Sequence, residues 1–256
     1  MAIDYTKEGR VAIFTINRPE ALNSMNVQAM QELHDAMVAF RDDPEMWAGI
    51  VTGAGERAFC AGADIKDMLP YLKGIRGKPW TFPATPFRGL ELYKPLIAAI
   101  NGMALGGGLE IALSCDLRIA SETARFGNPE PNLGLIPGWG ATQRLPRVIP
   151  WAKAAEILLL AKPIDAQEAY RIGLVNKIVP PDQVMTAAKE WANTICQLAP
   201  LAVRAAKEAM LRGYSMPLED GLKLESALFD YLLGTEDHAE GSAAFVEKRK
   251  PDFKAK

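Results

Sequence analysis

Residues 94–116 read KPLIAAINGMALGGGLEIALSCD. Leu96 to Ile100 is a short apolar strand, Asn101-Gly102 opens a turn, and Gly106, Gly107 and Gly108 lead into an apolar helix. Strand, glycine loop and helix start form a cradle for anionic oxygen. Glycine lets a ligand approach the backbone, and the first turn of a helix leaves N–H groups unbonded at the positive end of its dipole. Into this helix the sequence puts one carboxylate, Glu110, among Leu109, Ile111, Ala112 and Leu113. A helix apolar on all sides is buried, so Glu110 is expected inside the protein with a partner or a task. It follows Gly107 by three residues, about one helical turn. A backbone donor and a carboxylate would then share one cavity.

Before this stretch, residues 2–7 and 10–16 alternate as two strands joined by a tight turn at Glu8-Gly9. A turn at Asn17-Arg18-Pro19-Glu20 precedes an amphipathic helix from Asn26 to about Arg41. Met30, Leu33, Met37 and Phe40 form its apolar stripe, with His34 beside them as a packing residue. Residues 48–52 are an apolar strand, and the small residues of 58–64 lead into a helical turn at 65–68. This is a second place where backbone can approach a ligand. Residues 69–93 carry aromatic residues and prolines without a period, which fits either a lid or a surface insertion.

After it, residues 117–120 form another short strand. Glu130 stands between Pro129 and Pro131, whose rings restrict the backbone around it. Either an acid is being held still or a loop is merely stiffened. Pro137-Gly138-Trp139-Gly140 ends the loop, and helices are predicted over 141–147, 151–160 and 166–172. A last strand is read at 174–178, with Pro180-Pro181-Asp182 capping a helix over 183–197. The chain is then helical over 201–212, 218–233 and 237–248, which divides it into an α/β core of residues 1–198 and a helical lobe of residues 199–256. Apolar faces on so small a lobe suit oligomer contacts.

With 256 residues, 49% of them hydrophobic, the chain can bury one large core. A net charge of −2 with interspersed signs argues against a nucleic-acid partner. Three cysteines far apart and two histidines supply neither a disulfide framework nor a metal centre, and a reducing cytoplasm fits them. No apolar run approaches a bilayer span, and the reading expects no membrane association. What remains is two backbone-donor sites and two fixed carboxylates. That equipment suits a reaction that places negative charge on oxygen and moves protons nearby, as when an enolate forms from a thioester.

Residues 58–66 (AFCAGADIK), residues 94–116, residues 126–140 with Gln143-Arg144-Leu145, and Phe245 to Lys250 together resemble the enoyl-CoA hydratase (crotonase) family over essentially the whole chain. The resemblance implies an α/β fold, a spiral of ββα units with a C-terminal helical trimerisation lobe, and a homo-hexamer built as a dimer of trimers. It implies hydration of a 2-enoyl-CoA thioester, with Ala63 and Gly107 as oxyanion donors, Glu110 as base on water and Glu130 as acid toward the α-carbon. Coenzyme A contacts are implied at Ala21, Leu22, Ala61, Asp64, Ile65 and Lys66, and at Phe245 and Lys248 reaching a neighbouring subunit. No separate cofactor is implied, since coenzyme A arrives with the substrate.

The resemblance places Trp80, Phe82 and Trp139 at the acyl pocket; Trp139 departs from the small residue common at its position, and either reshapes the pocket for short, branched or cyclic acyl chains or packs away from the site. One scaffold also hosts isomerases and other reactions, so a Δ3,Δ2-isomerase, a weakly catalytic acyl-CoA binder and an RNA-binding relative stay open. A covalent role for Cys60 is a further alternative.

Overall fold

The computed structural model describes residues 1–78 and 81–256. Its strands fall into two sheets. Hairpin strands β1 (Ile3–Glu8) and β2 (Val11–Ile16) pair antiparallel, and β2 continues parallel with β3 (Ala48–Gly53). Beyond β3 come β5 (Leu96–Ile100), β7 (Leu117–Ser121) and β10 (Lys177–Val179), giving the order β1-β2-β3-β5-β7-β10. The smaller sheet has the order β4-β6-β8-β9, from β4 (Ala58–Cys60), β6 (Met103–Leu105), β8 (Arg125–Gly127) and β9 (Ile164–Asp165). Three times, a long strand of the first sheet is followed by a short strand of the second and then by a helix. These units are β3-β4-α2 (Ile65–Gly74), β5-β6-α3 (Gly107–Ser114) and β7-β8-α4 (Ala141–Val148).

The apolar runs of the long strands serve two faces. Val11, Ile13, Ala48, Ile50, Ile97, Ala99 and Ile119 join α7 (Val184–Ile195) through Val184, Ala187, Ala188 and Ala192. Their neighbours Ala12, Phe14, Val51, Leu96, Ala98, Ile100 and Ala120 point into the main core. Side chains alternate across a strand, so a parallel sheet covered on both sides needs apolar residues at every position. Helix α1 (Val27–Asp42) buries the stripe Met30, Leu33, Met37 and Phe40 in that core, and the Asn26 side chain caps it by accepting from Ala29 N at 2.8 Å. His34 packs beside it with Nδ1 2.6 Å from the Ala84 carbonyl.

Three readings need correction, and two short strands lie outside any of them. The helical turn at 65–68 extends to Gly74 through Pro70, because Met68 is buried and holds the turn in the core. The stretches 103–105 and 125–127 are strands, each too short to show a period. Leu174 and Val175 are apolar for a different reason than a strand: they bury the turn closing α6 (Ala166–Arg171), where the Leu174 N–H donates to Ala169 O at 2.8 Å. Asp182 does not cap α7; a 3-10 turn over Pro181–Gln183 enters it instead.

The chain continues through α5 (Trp151–Leu160) earlier and, at the end, α8 (Pro200–Gly213), α9 (Leu218–Leu233) and α10 (Glu236–Glu247). Helix α8 is fastened to the sheets by buried Lys207, which bonds the Lys94 carbonyl at 2.9 Å and pairs with Asp116 at 2.7 Å. No residue of α9 is buried by the chain itself. No described helix is long and apolar enough to cross a membrane.

Candidate active site

The ends of β4 and β6 set two loops against each other. Gly62 has φ +100°, and a Cβ there would lie 3.0 Å from Leu105 O and 3.2 Å from Gly107 N, so residues 60–64 meet the glycine loop backbone to backbone. Gly106, at φ +55°, turns the chain into α3. Among the described residues, nothing accepts a hydrogen bond from the N–H of Ala63 or of Gly107. Both donors border one cleft of about 650 Å³. The turn at residues 18–25 is sewn to the same loop, through Ala61 N to Leu22 O at 3.0 Å, Met25 N to Gly62 O at 2.8 Å and Asp64 N to Met25 O at 2.9 Å.

Glu110 is buried as the apolar helix requires, 2% exposed. Its Oε1 accepts from the N–H of Trp139 at 2.7 Å and of Ala141 at 2.9 Å, where α4 begins. Glu130 opens a 3-10 turn over Glu130–Leu133, and a Cβ on Gly106 would come within 3.1 Å of its Oε1. Its Oε2 is buried without a hydrogen-bond partner among the described residues. A charged oxygen in that state is expensive, so the environment favours the neutral acid. Burial raises Glu130 above the ordinary carboxylate value. Burial likewise pushes Glu110 up to about 7, helped by the charge of Glu130 and opposed by its N–H donors.

Two consequences follow from these shifts. The folded protein binds the Glu110 proton more tightly than the unfolded chain does, so this contribution to stability is full below the ordinary value of 4.5 and is lost as pH rises through about 7. The carboxyl carbon of Glu110, followed by 13C NMR, is expected to titrate near neutrality, and at a lower pH once Glu130→Gln removes the neighbouring charge. An unchanged or higher midpoint in that variant would refute the coupling of the two acids.

Of the residues singled out in the sequence, Ala61, Ala63, Ile65, Gly107, Glu110, Glu130 and Trp139 line the cleft. Ala21 and Leu22 lie in the turn sewn to it. The Asp64 carboxylate is engaged in the structure itself: it caps α2 by accepting from Lys66 N at 3.3 Å and pairs with Arg18 at 3.0 Å. Lys66 is exposed in the first turn of α2. Phe245 and Lys248 are not brought to the cleft of their own chain; Phe245 borders a separate groove with Leu201, Phe229 and Phe253. Trp80 lies outside the described residues. Phe82 does not line the cleft: it is buried behind Trp139, with ring centroids 6.1 Å apart.

Cys60 is wholly buried and its thiol is pushed up to about 12 by burial, so it presents no thiolate nucleophile. Among the described residues no group of histidine, cysteine and carboxylate side chains could hold a metal. Sequence reasoning missed Leu69, Leu72, Leu133, Leu135 and Ile136, which give the cleft its apolar walls. Arg144, in sequence only part of a motif, donates from its guanidinium to the carbonyls of Trp139 and Phe87, each at 3.0 Å, and ties two loops together.

Comparison with known proteins gives concordant results. A sequence model of the Enoyl-CoA hydratase/isomerase family matches residues 6–256. The chain is 48% identical to the short-chain-enoyl-CoA hydratase of Clostridium acetobutylicum, over 95% of this chain and 94% of that protein. It is 42% identical to the crotonyl-CoA hydratase of Syntrophomonas wolfei, over 98% and 96% respectively. The crystal structure of an enoyl-CoA hydratase from Bacillus anthracis superimposes with a TM-score of 0.93 at 38% identity, covering 100% of both chains.

Proposed function

The chain belongs to the enoyl-CoA hydratase/isomerase family, and from that membership we propose that it is an enoyl-CoA hydratase, adding water reversibly across the 2,3-double bond of a 2-enoyl-CoA thioester. The observation that carries the reading is that two carboxyl groups, Glu110 and Glu130, lie beside two N–H groups without an acceptor among the described residues, all in one largely apolar cleft.

In this reading the thioester carbonyl accepts from the N–H groups of Ala63 and Gly107. As water attacks carbon 3, electron density moves from the double bond to the carbonyl oxygen, and the two donors stabilise the charge where it develops. Glu110 takes the proton from water. Its Oε1 is already held by two backbone donors, which fix its direction and oppose the burial that pushes the carboxyl up to about 7, leaving a base that exchanges its proton near neutrality. Glu130 delivers a proton to carbon 2, using the neutral form that its unpartnered Oε2 favours. The pair carries one proton in the working state, and the reverse reaction exchanges the two roles. Coenzyme A enters with the substrate along Ala21, Leu22, Ile65 and Lys66, and no separate cofactor takes part.

Loss of the ultraviolet absorbance of conjugated crotonyl-CoA on adding the purified protein tests the proposal. Hydration removes the conjugation; an absorbance that stays constant at high enzyme concentration overturns it.

The same reading extends to assembly as a homo-hexamer, a dimer of trimers, in which Phe245 and Lys248 reach coenzyme A bound to a neighbour. Supporting it, Leu218, Leu222, Phe229 and Leu233 on α9 are 78%, 49%, 61% and 49% exposed, a large apolar face left open on a helix that packs on α8 yet buries none of its own residues. Light scattering is expected to give the mass of six chains, and the mass of one chain would refute the assembly.

A further inference from the structure

Trp139 belongs to the loop that closes the cleft, and three contacts fix where its indole lies. The benzo edge rests on the oxyanion glycine: a Cβ built on Gly107 would fall 2.2 Å from Trp139 Cζ3 and 2.5 Å from Cε3. The ring stacks on Phe87 with centroids 5.3 Å apart and planes inclined by 23°, and Phe82 lies tilted beside it. The backbone N–H of Trp139, not the indole, donates to Glu110 Oε1. Phe82 and Phe87 are 6% and 4% exposed, so what stands behind the indole is solid core. Arg144, bonded to the carbonyls of both Trp139 and Phe87, locks the arrangement.

A thioester carbonyl seated on Ala63 and Gly107 puts carbons 2 and 3 between the carboxyl groups. The chain beyond carbon 3 then leaves from a point bordered by Gly107, against which the indole lies, and Glu110, which the backbone N–H of Trp139 holds. We infer that Trp139 is the end wall of the acyl site and restricts the enzyme to short 2-enoyl chains, roughly four to six carbons, an apolar pocket discriminating by about tenfold or more per methylene it cannot house. The inference rests on the hydratase reading. The other course open to a long chain runs over the lip formed by Leu133, Leu135 and Ile136, which are 53%, 45% and 74% exposed. A chain on that lip would not feel the indole at all.

The test is kcat/KM for straight-chain 2-enoyl-CoAs from crotonyl to dodecenoyl, measured for the wild type, Trp139→Ala and Trp139→Phe, with melting curves to show that each variant is folded. The wild type is expected to hydrate 2-decenoyl-CoA at least tenfold less efficiently than crotonyl-CoA, and Trp139→Ala to raise that ratio at least tenfold. Trp139→Phe, which keeps an aromatic ring against Phe87, gives a smaller rise and serves if the alanine variant does not fold. A wild-type ratio near one, or a ratio unchanged in the folded variants, overturns the wall while leaving the hydratase standing. Binding of butyryl-CoA and decanoyl-CoA, followed by calorimetry, reads the wall without turnover: equal affinities for the wild type overturn it. No turnover of any enoyl thioester alongside tighter butyryl binding overturns the hydratase reading and leaves the wall.

Discussion

Replacing Glu130 with glutamine is expected to lower kcat for hydration on the order of 10³-fold, with little change in KM, because a positioned acid or base contributes about 10² to 10⁴. Glutamine keeps the length and the acceptor oxygen of the side chain but has no proton to give to carbon 2. Glu110→Gln is expected to lose a similar factor. Its side-chain oxygen can still accept from Trp139 and Ala141, so the α4 end of the cleft is preserved while the base is gone. The double variant should be scarcely slower than either single one, since the two groups act as one proton-carrying pair. Stopped-flow or steady-state kinetics with crotonyl-CoA decides this. A loss below tenfold in Glu110→Gln beside a large loss in Glu130→Gln would point to chemistry with one carboxylate, as an isomerisation requires.

The second large effect falls on the fold. Each of the three consecutive glycines has its own reason, and Gly108 has the most rigid one. A Cβ there would lie 1.9 Å from the carbonyl oxygen of Cys60 and 2.7 Å from its carbonyl carbon, both backbone atoms of β4. Neither can rotate away, so α3 must lift from the small sheet, taking Gly107 and Glu110 with it. Overpacking of a core costs about 1–3 kcal/mol and occasionally more, and a clash with backbone puts Gly108→Ala at about 3 kcal/mol or above. That is a large part of the roughly 5–15 kcal/mol by which domains are stable. Urea unfolding is expected to show a midpoint well below that of the wild type. Gly138→Ala is the control, since nothing lies within 4 Å of the added Cβ; its stability should stay within about 0.5 kcal/mol. Equal midpoints for both variants would contradict the account of the glycine run.

Those two sites also show how far the sequence could be read. Leu96–Ile100, the glycine entry into α3 and buried Glu110 were legible because strand, loop and apolar helix each leave a local mark within a few residues. The six-stranded order was not, since nothing in residues 48–53 or 117–121 says which strands neighbour them. Three-residue strands such as Met103–Leu105 are shorter than any period, yet they place the glycine loop against residues 60–64. The proline-flanked Glu130 admitted two readings, and only the folded chain brings its carboxyl over Gly106 at the cleft. Trp139 was legible as an unusual residue that the resemblance assigns to the acyl pocket, but not as one seated on the glycine loop. That it lies on Gly107 depends on two loops 32 positions apart being folded together, which no local pattern encodes.

The chemistry itself is tested most directly by incubating the protein with crotonyl-CoA in water enriched in oxygen-18 and reading the product by mass spectrometry. The expected product is a 3-hydroxyacyl-CoA heavier than the substrate by one labelled water, formed by the wild type and on the order of 10³-fold more slowly by Glu110→Gln and Glu130→Gln. An acyl-CoA mass unchanged after long incubation with folded wild-type protein would contradict it.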